Sequence, residues 1–330
     1  MSAALDRILD ELFDRPAERG VSLACVVRAR GEIVAERHGV RPADDFRPEL
    51  VVTPETPLTS WSMAKSITHA ALGVLVLDDA IDLAAPAAVP EWTGTDAAAI
   101  TPLDLLEMRS GLSFVEDYVD GSISNCIEML FGGTDPSFAA YAARQPLVHP
   151  VGEVFNYSSG TSNILARLIG DAVAGGRTGE ERAAAVAEFL RRRLFEPTGM
   201  ADATPHFDDA GDFVGSSYVD ATARDFARFG ELYAFDGVTD RGRGDRILPV
   251  GWLDHARAPI SFDPDGGFGY GRHWWTWPTF PGSLACHGYD GQYVLVLPDD
   301  DVVVCHLGAT DVAHQRAVTM SIARLAERAR

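Results

Sequence analysis

The chain has 330 residues, of which 46% are hydrophobic and 23% are charged. A globular chain of this length forms one large domain or two closely joined ones. The formal net charge of −20 at pH 7 argues against nucleic acid and anionic membrane surfaces as partners, because both bind basic surfaces.

The sequence gives no signal for export, membrane insertion or metal binding. The first residues carry neither a basic cluster nor an apolar stretch, and no apolar segment approaches the roughly 18 residues of a membrane span. The four cysteines (Cys25, Cys126, Cys286 and Cys305) are widely separated, which is typical of reduced thiols. We therefore expect a cytoplasmic protein without a metal or other cofactor.

The chain begins with a predicted helix and a hairpin. Apolar residues at helical spacing predict an amphipathic helix at residues 4–15. Two apolar runs, at 21–27 and 33–37, read as antiparallel strands joined by a short turn that contains Gly31.

A long block of helical signals follows, from about residue 61 to residue 245. Thr101 is a suitable N-cap because a proline follows it at the first helical position, and Gly111 is expected to end that helix. Further helices are predicted at 182–195, stopping before Pro197, and at 220–233.

Strand signals return near the end, at 292–297 and 302–307, before a last amphipathic helix at 312–328. Because strands at both ends can share one sheet, we predict an α/β (α+β) fold with an antiparallel sheet, flanking terminal helices and a large helical insertion. The corresponding subdomains are residues 1–60 plus 246–330, which carry the sheet, and residues 61–245, which are mainly helical.

The most informative residue is Lys65, the single lysine among 28 basic residues. An arginine side chain stays protonated in proteins, whereas a lysine amine can become neutral and act as a base. Ser62 lies three residues earlier, at the start of an apolar run that predicts a buried helix. Residues three apart share a helix face, so we expect the Ser62 hydroxyl to lie beside the Lys65 amine, as in an activated serine nucleophile.

The alternative interpretation is that the Ser62–Lys65 pattern has no catalytic role. The pattern Ser-x-x-Lys occurs by chance in many proteins, and a strong arginine bias reflects a GC-rich genome equally well. A lysine retained by chance would usually lie on the surface, however. Lys65 lies in a segment too apolar to be solvated, where an unpaired ammonium costs several kcal/mol. The catalytic interpretation is therefore favoured.

Two further segments complete a pattern. One is residues 149–160, where Tyr157 lies between a proline-glycine loop and a predicted helix, and the other is the Cys-His-Gly-Tyr-Asp-Gly-Gln turn at 286–292. With Ser62 and Lys65, these segments resemble the penicillin-recognising serine hydrolases. That family includes class C β-lactamases, DD-peptidases, family VIII carboxylesterases and 6-aminohexanoate-dimer hydrolases. Residues 269–275 look most like the last of these branches.

The resemblance implies a β-lactamase/transpeptidase-like fold with the active site between the two subdomains. It further implies that Ser62 is the acylated nucleophile, that Lys65 activates it, and that Tyr157 exchanges protons with the nucleophile and the leaving group. The backbone N–H groups of Ser62 and Tyr289 would form the oxyanion hole. We also expect a protonated Lys65 to lower the pKa of Tyr157.

Two departures from the family pattern concern the substrate. Ser159 stands where the family's Tyr-x-Asn element has asparagine, and Cys286 and His287 stand where Lys-Thr-Gly has lysine and threonine. Because those side chains hold a β-lactam, efficient β-lactam hydrolysis is not expected. The candidate substrate-pocket residues are Tyr118, Ser159, Trp275, His287, Gly288 and Asp290, with surrounding loops near 113–135 and 205–220.

The leading hypothesis is a serine hydrolase that cleaves a small ester or amide through an acyl-serine intermediate. An acyltransferase that uses the same intermediate is an alternative, because the sequence does not reveal which nucleophile removes the acyl group. A non-catalytic binding protein on the same fold is a third possibility. A small-molecule substrate is the expected partner in the first two cases, and the oligomeric state is left open.

Overall fold

The structure is a computed structural model that describes residues 3–44, 48–116, 123–133 and 135–330. Within these residues the strands are β1 (Val21–Ala29), β2 (Glu32–His38), β3 (Val40–Arg41), β4 (Leu50–Val51), β5 (Leu58–Thr59), β6 (Thr204–Pro205), β7 (Val219–Ala221), β8 (Ser261–Asp263), β9 (Phe268–Tyr270), β10 (Trp275–Thr276), β11 (Leu284–Gly288), β12 (Gln292–Leu297) and β13 (Val302–Ala309).

The helices of the same residues are α1 (Ala3–Phe13), α2 (Ala64–Leu77), α3 (Pro102–Leu106), α4 (Asn125–Phe131), α5 (Phe138–Ala143), α6 (Ser159–Ala174), α7 (Gly179–Leu190), α8 (Glu196–Thr198), α9 (Ala223–Ala234), α10 (Thr239–Gly242), α11 (Trp252–Ala256) and α12 (Gln315–Ala329).

The largest sheet contains eight antiparallel strands in the order β2-β1-β13-β12-β11-β10-β9-β8. Strand β1 from the beginning of the chain pairs with β13 from its end, with Val27 opposite Val304. The prediction that both ends of the chain share one antiparallel sheet is therefore confirmed.

The side chains of the central strands alternate between two apolar cores, as the period of two in a strand requires. In β1, Cys25 and Val27 face one core, whereas Ala24 and Val26 face the other. The terminal helices α1 and α12 close the first core, and α2, α9 and other helices of the middle block close the second. Both faces of the sheet are thus covered, which explains the apolar character of its central strands.

Helix α2 lies at the centre of the helical block. Every residue from Ala64 to Leu75 is buried, so this part of the helix has no solvent-exposed face, as is typical of a helix in the core of a large protein. A 3₁₀ turn at Trp61–Met63 leads directly into it. The buried helix that was predicted to begin near Ser62 is therefore confirmed.

Two predicted helix ends are wrong. The helix capped by Thr101 ends at Leu106, not at Gly111. Gly111 has a positive φ of 79° and lies so close to the backbone oxygen of His149 that a Cβ atom would collide with it. The glycine is thus required for a close approach between two loops.

The second wrong end concerns Pro197. Helix α7 continues through a π-helical turn at Arg191–Phe195 into α8, and Pro197 lies in the first turn of α8. A proline is tolerated there because the first N–H groups of a helix have no partner within it. Gly199, with φ of 75°, ends α8 instead.

The predicted subdomains correspond to a change in secondary structure along the chain. The eight-stranded sheet is built from segments within residues 21–38 and 261–309, and α2 to α10 lie between them in sequence. A small sheet connects the two regions, because β5 pairs with β7. The boundaries at 60 and 245 stay a prediction.

All four cysteines are free and buried. Among the described residues, no helix is both long enough and apolar enough to cross a lipid bilayer.

Helix α9 packs tightly against the sheet at Gly230. A Cβ atom added there would lie 2.7 Å from a Val303 methyl carbon and 3.1 Å from methyl carbons of Val294 and Val296. Alanine normally stabilises a helix interior by about 1 kcal/mol over glycine, but overpacking a core costs about 1–3 kcal/mol. We predict that Gly230→Ala lowers the free energy of unfolding by roughly 1 kcal/mol in urea denaturation.

The double variant Gly230→Ala/Val303→Ala is the control for this prediction, because it removes the methyl groups that collide. It should be more stable than the sum of the two single changes implies. Additive effects, or a stabilising Gly230→Ala, would contradict the packing argument.

Candidate active site

The turn that carries Ser62 is fixed to the segment at 217–219. The Ser60 N–H donates to the Val219 oxygen at 2.9 Å, and the Ser60 hydroxyl accepts from the Val219 N–H at 3.0 Å. Trp61, the residue before Ser62, has φ of 45°, a conformation that bulky residues rarely adopt. The backbone at Ser62 is therefore held in a specific and strained geometry.

Lys65 is almost completely buried, with 2% of its surface exposed. Its Nζ atom donates to Ser62 Oγ at 3.1 Å, to Ser159 Oγ at 3.0 Å and to the backbone oxygen of Ser216 at 3.1 Å. These three acceptors match the three N–H groups of an ammonium. The structure thus brings Ser62 and Lys65 together as their spacing predicts, and it adds Ser216, whose backbone oxygen has no signature in the sequence.

Tyr157 lies beside this pair. The Lys65 Nζ atom is 4.9 Å from the centre of the Tyr157 ring. Burial raises the pKa of the Tyr157 hydroxyl, and the charge of Glu116 raises it further. These effects outweigh the neighbouring Lys65 and Ser62 groups, which lower the pKa. Lys65 lowers the pKa of Tyr157 as expected, but the net shift is upward because desolvation of the phenolate dominates.

Ser159, a candidate pocket residue, is buried and belongs to the surroundings of Lys65. Its hydroxyl accepts from Lys65 and donates to the Glu116 carboxylate at 2.5 Å, while its backbone N–H donates to the other Glu116 oxygen at 2.8 Å. Glu116 was missed by the sequence analysis. No motif marks it, and its role depends on a contact 43 residues away along the chain.

An aromatic wall borders Tyr157 on the sheet side. The Trp275 ring lies 5.7 Å from the Tyr157 ring and stacks on His287 at 5.0 Å. His287 Nε2 accepts from Trp277 Nε1 at 2.8 Å, and burial lowers the pKa of His287 to about 3. His287 is therefore neutral, with its proton on Nδ1, where the family pattern has threonine.

The end of β11 lies against the turn that carries Ser62. A Cβ atom on Gly288 would be 2.5 Å from the Ser60 backbone oxygen, so only glycine permits this approach. The next residue, Tyr289, has its ring 5.8 Å from that of Trp61. The predicted pair of oxyanion-hole residues, Ser62 and Tyr289, thus belongs to two adjoining segments.

The turn after β11 is held by β13. Asp290 has φ of 60°, and its backbone oxygen accepts from the Thr310 N–H at 2.9 Å. The buried His306 donates from Nδ1 to the Gly291 oxygen at 2.8 Å and accepts from Ser22 at Nε2. The backbone of Asp290, a candidate pocket residue, thereby has a clear part in shaping the turn.

A cavity of about 230 Å³ opens beside Ser62. Its other lining residues are mainly apolar and come from α4 and from the segments just described: Trp61, Cys126, Ile127, Leu130, Phe131, Ser217 and Tyr289. The cavity lies in the loop regions expected to build the substrate pocket. Tyr118, another candidate pocket residue, lies outside the described residues.

His273, which lies behind the site, is a neutral structural side chain. The buried His273 donates from Nδ1 to the Leu106 oxygen and accepts from Ser162 at Nε2, and burial lowers its pKa to about 3.

Among the residues that the structure describes, no three His, Cys, Asp or Glu side chains form a group that could hold a metal ion.

The fold and the pairing of Ser62 with the buried Lys65 are those of a serine hydrolase that has no histidine at its nucleophile. The family model described as Beta-lactamase matches residues 5–327, so the chain belongs to the β-lactamase family. A curated relative is the 6-aminohexanoate-dimer hydrolase of Paenarthrobacter ureafaciens. It is 28% identical in an alignment 324 residues long that covers 93% of this chain and 77% of the relative.

Two solved structures have the same fold. One is a Bacillus anthracis protein assigned as a 6-aminohexanoate-dimer hydrolase, with a TM-score of 0.77 and 22% identity over 97% of this chain and 81% of that one. The other is a family VIII carboxylesterase, with a TM-score of 0.74 and 15% identity over 99% of this chain and 97% of that one.

The close approach at Gly288 can be tested directly. Gly288→Ala should push the end of β11 away from the Ser62 turn, because the added Cβ meets a backbone atom that cannot rotate away. Since a misplacement of 1 Å can cost about 10²-fold, we predict a loss in kcat of that order on a p-nitrophenyl ester.

Gly230→Ala is a matched control, because it adds the same methyl group to a tightly packed glycine outside the site. It should change stability without changing kcat. Wild-type kcat in Gly288→Ala would mean that the approach of β11 to Ser60 is not required for activity.

Proposed function

We propose that the protein hydrolyses a small ester or amide through an acyl intermediate on Ser62, with Lys65 as the base. The observation that carries the proposal is the buried Lys65 Nζ atom, 3.1 Å from Ser62 Oγ. A neutral amine has two N–H groups and one lone pair. If those N–H groups bind Ser159 Oγ and the Ser216 oxygen, the lone pair points at the Ser62 hydroxyl.

Acylation then follows from this geometry. Lys65 takes the Ser62 proton as Oγ attacks the substrate carbonyl, and the backbone N–H groups of Ser62 and Tyr289 stabilise the oxyanion. Tyr157, whose pKa is raised by burial, is protonated and gives its proton to the leaving group as the carbonyl re-forms. The proton on Lys65 replaces the one that Tyr157 lost. Water then attacks the acyl-serine by the reverse relay and releases the acid.

The cavity supports an uncharged, apolar group next to the scissile bond. Its lining residues carry no formally charged side chain at neutral pH, and Leu130 and Phe131 supply apolar surface. The aromatic wall ends in a neutral His287, which offers no fixed cation for a substrate carboxylate. Short apolar esters should therefore be better substrates than carboxylate-bearing β-lactams.

The linear amide named for the Paenarthrobacter relative belongs among the test substrates, because that relative matches 93% of this chain. Adding an alcohol to the ester assay tests the acyltransferase alternative. An ester of the added alcohol would form at the expense of the free acid if acyl transfer dominates.

Covalent labelling tests the nucleophile. We predict that a fluorophosphonate probe adds once to the wild-type protein and that peptide mass spectrometry locates the adduct on Ser62. Ser62→Ala should not be labelled, and it should not hydrolyse the best ester of the panel. Labelling that persists in Ser62→Ala would overturn the mechanism, and a wild-type protein that is neither labelled nor active would favour the binding-protein alternative.

Replacing Lys65 with arginine tests the base. Arginine keeps the positive charge but stays protonated, and its planar five-donor head does not match three acceptors arranged around one nitrogen. We predict that Lys65→Arg slows labelling of Ser62 by at least about 10³-fold, within the range typical of a lost general base.

Thermal unfolding is the control for this variant, because the comparison requires a folded protein. A folded Lys65→Arg variant that is labelled at the wild-type rate would end the assignment of Lys65 as the base.

A further inference from the structure

Glu116 is a charged group that the proposed mechanism does not use, although only two hydrogen bonds, both made by Ser159, separate it from Lys65. Its two carboxylate oxygens accept from the hydroxyl and the backbone N–H of Ser159. In the hydrogen bonds described above, Ser159 is the residue that connects Glu116 to Lys65. The contact is made at the first residue of α6, where a negative charge is also favourable for the helix.

The direction of the Ser159 proton is decided by this contact. A hydroxyl has one proton, and a carboxylate can only accept hydrogen bonds. The 2.5 Å contact between Ser159 Oγ and Glu116 therefore commits the Ser159 proton to Glu116. The hydroxyl then presents only lone pairs to Lys65 Nζ, 3.0 Å away.

The direction of the Ser159 proton matters because Lys65 lies between two serine hydroxyls, those of Ser62 and Ser159. A neutral Lys65 has one lone pair, and both Ser62 and Ser159 could donate a proton to it. If Ser159 donated, the lone pair would be occupied and could not take the proton of Ser62. A Ser159 hydroxyl that only accepts leaves the lone pair to Ser62.

We propose that Glu116 is a positioning residue of the active site: it holds the Ser159 hydroxyl as an acceptor and so reserves the Lys65 lone pair for Ser62. The proposal rests on the proposed function. The hydrogen bonds that carry it are the two that Glu116 accepts from Ser159, and it assigns Glu116 no contact with substrate and no proton transfer of its own.

Glutamine at position 116 is the informative substitution. An amide accepts hydrogen bonds only through its oxygen, and its other terminal atom is a donor. Because the Ser159 N–H can only donate, whereas the Ser159 hydroxyl can also accept, we expect the amide oxygen to bind the N–H and the amide nitrogen to donate to the hydroxyl. The Ser159 proton then turns toward Lys65 and weakens the base, with an effect expected near that of a hydrogen bond to a charged group, about 10- to 100-fold in rate.

The experiment measures the rate constant and the apparent affinity of Ser62 labelling by a fluorophosphonate separately. We expect Glu116→Gln to lower the maximal rate constant about 10- to 100-fold and to leave the affinity unchanged, because Glu116 acts on the base and not on the cavity. Glu116→Asp keeps the acceptor-only character and should retain more of the rate than Glu116→Gln. An equal or larger loss in Glu116→Asp would contradict the proposal.

A double-mutant cycle tests the connection through Ser159. If Glu116 acts only by orienting that hydroxyl, Glu116→Gln should cost nothing further once Ser159→Ala has removed it. Additive losses would overturn the proposal. Ser159→Ala is a small change that keeps the test meaningful if Glu116→Gln fails to fold, and a folded Ser159→Ala variant with a wild-type rate constant would also overturn it.

Asp104 offers a matched control for a purely structural role. Its carboxylate accepts from the backbone N–H of Thr101 at 2.9 Å and from the Thr101 hydroxyl at 2.6 Å, at the start of α3. Asp104→Asn should lower the melting temperature without slowing labelling. If Glu116→Gln behaves in the same way, its carboxylate is only a helix cap and the proposal fails.

The two proposals fail in different ways. Absence of labelling in the wild-type protein would remove the proposed function itself. Normal labelling of Ser62 in both the wild type and Glu116→Gln would leave the proposed function intact and remove only the role of Glu116.

Discussion

The burial of Lys65 is the constraint on which the rest of the site depends. A buried amine is costly unless every polar hydrogen finds an acceptor. The three acceptors of Lys65 come from three separate segments: the turn before α2, the first residue of α6, and the backbone at Ser216. Burial of the lysine therefore requires that these three segments pack around α2. The same packing forms the core of the helical block.

A second constraint acts from the sheet. The end of β11 reaches the Ser62 turn only because Gly288 has no side chain, and the turn that follows is tied to β13 through His306 and Thr310. Strand β13 in turn pairs with β1 from the start of the chain. The relative position of Ser62 and Tyr289 is thus set by the long-range pairing of the whole sheet, and not by the loop that carries Tyr289.

The sequence was sufficient for features that depend on local patterns. The spacing of Ser62 and Lys65 on one helix, the buried character of α2 and the strands at both ends all follow from periodicity, and the structure confirms these elements. The family resemblance led to Tyr157. Features that depend on distant contacts were not accessible: Glu116 meets Ser159 across 43 positions, and a backbone acceptor such as that of Ser216 has no signature in sequence at all. The lowering of the Tyr157 pKa by Lys65 could be inferred from their nearness, whereas the larger upward shift caused by burial could not.

The surroundings of Lys65 differ from those of a buried arginine in the same protein. Arg182 is buried too, but it binds the carboxylate of Asp212, at 2.7 Å, and a backbone oxygen. A permanent cation paired with a carboxylate is suited to holding structure, since neither partner needs to change its charge. The direct acceptors of Lys65 are two hydroxyls and a carbonyl, all neutral, and the Glu116 carboxylate binds one of these hydroxyls, that of Ser159. Neutral acceptors satisfy an amine in either protonation state, so this environment suits a group that gains and loses a proton in each turnover. Arginine could not replace lysine there without losing that freedom.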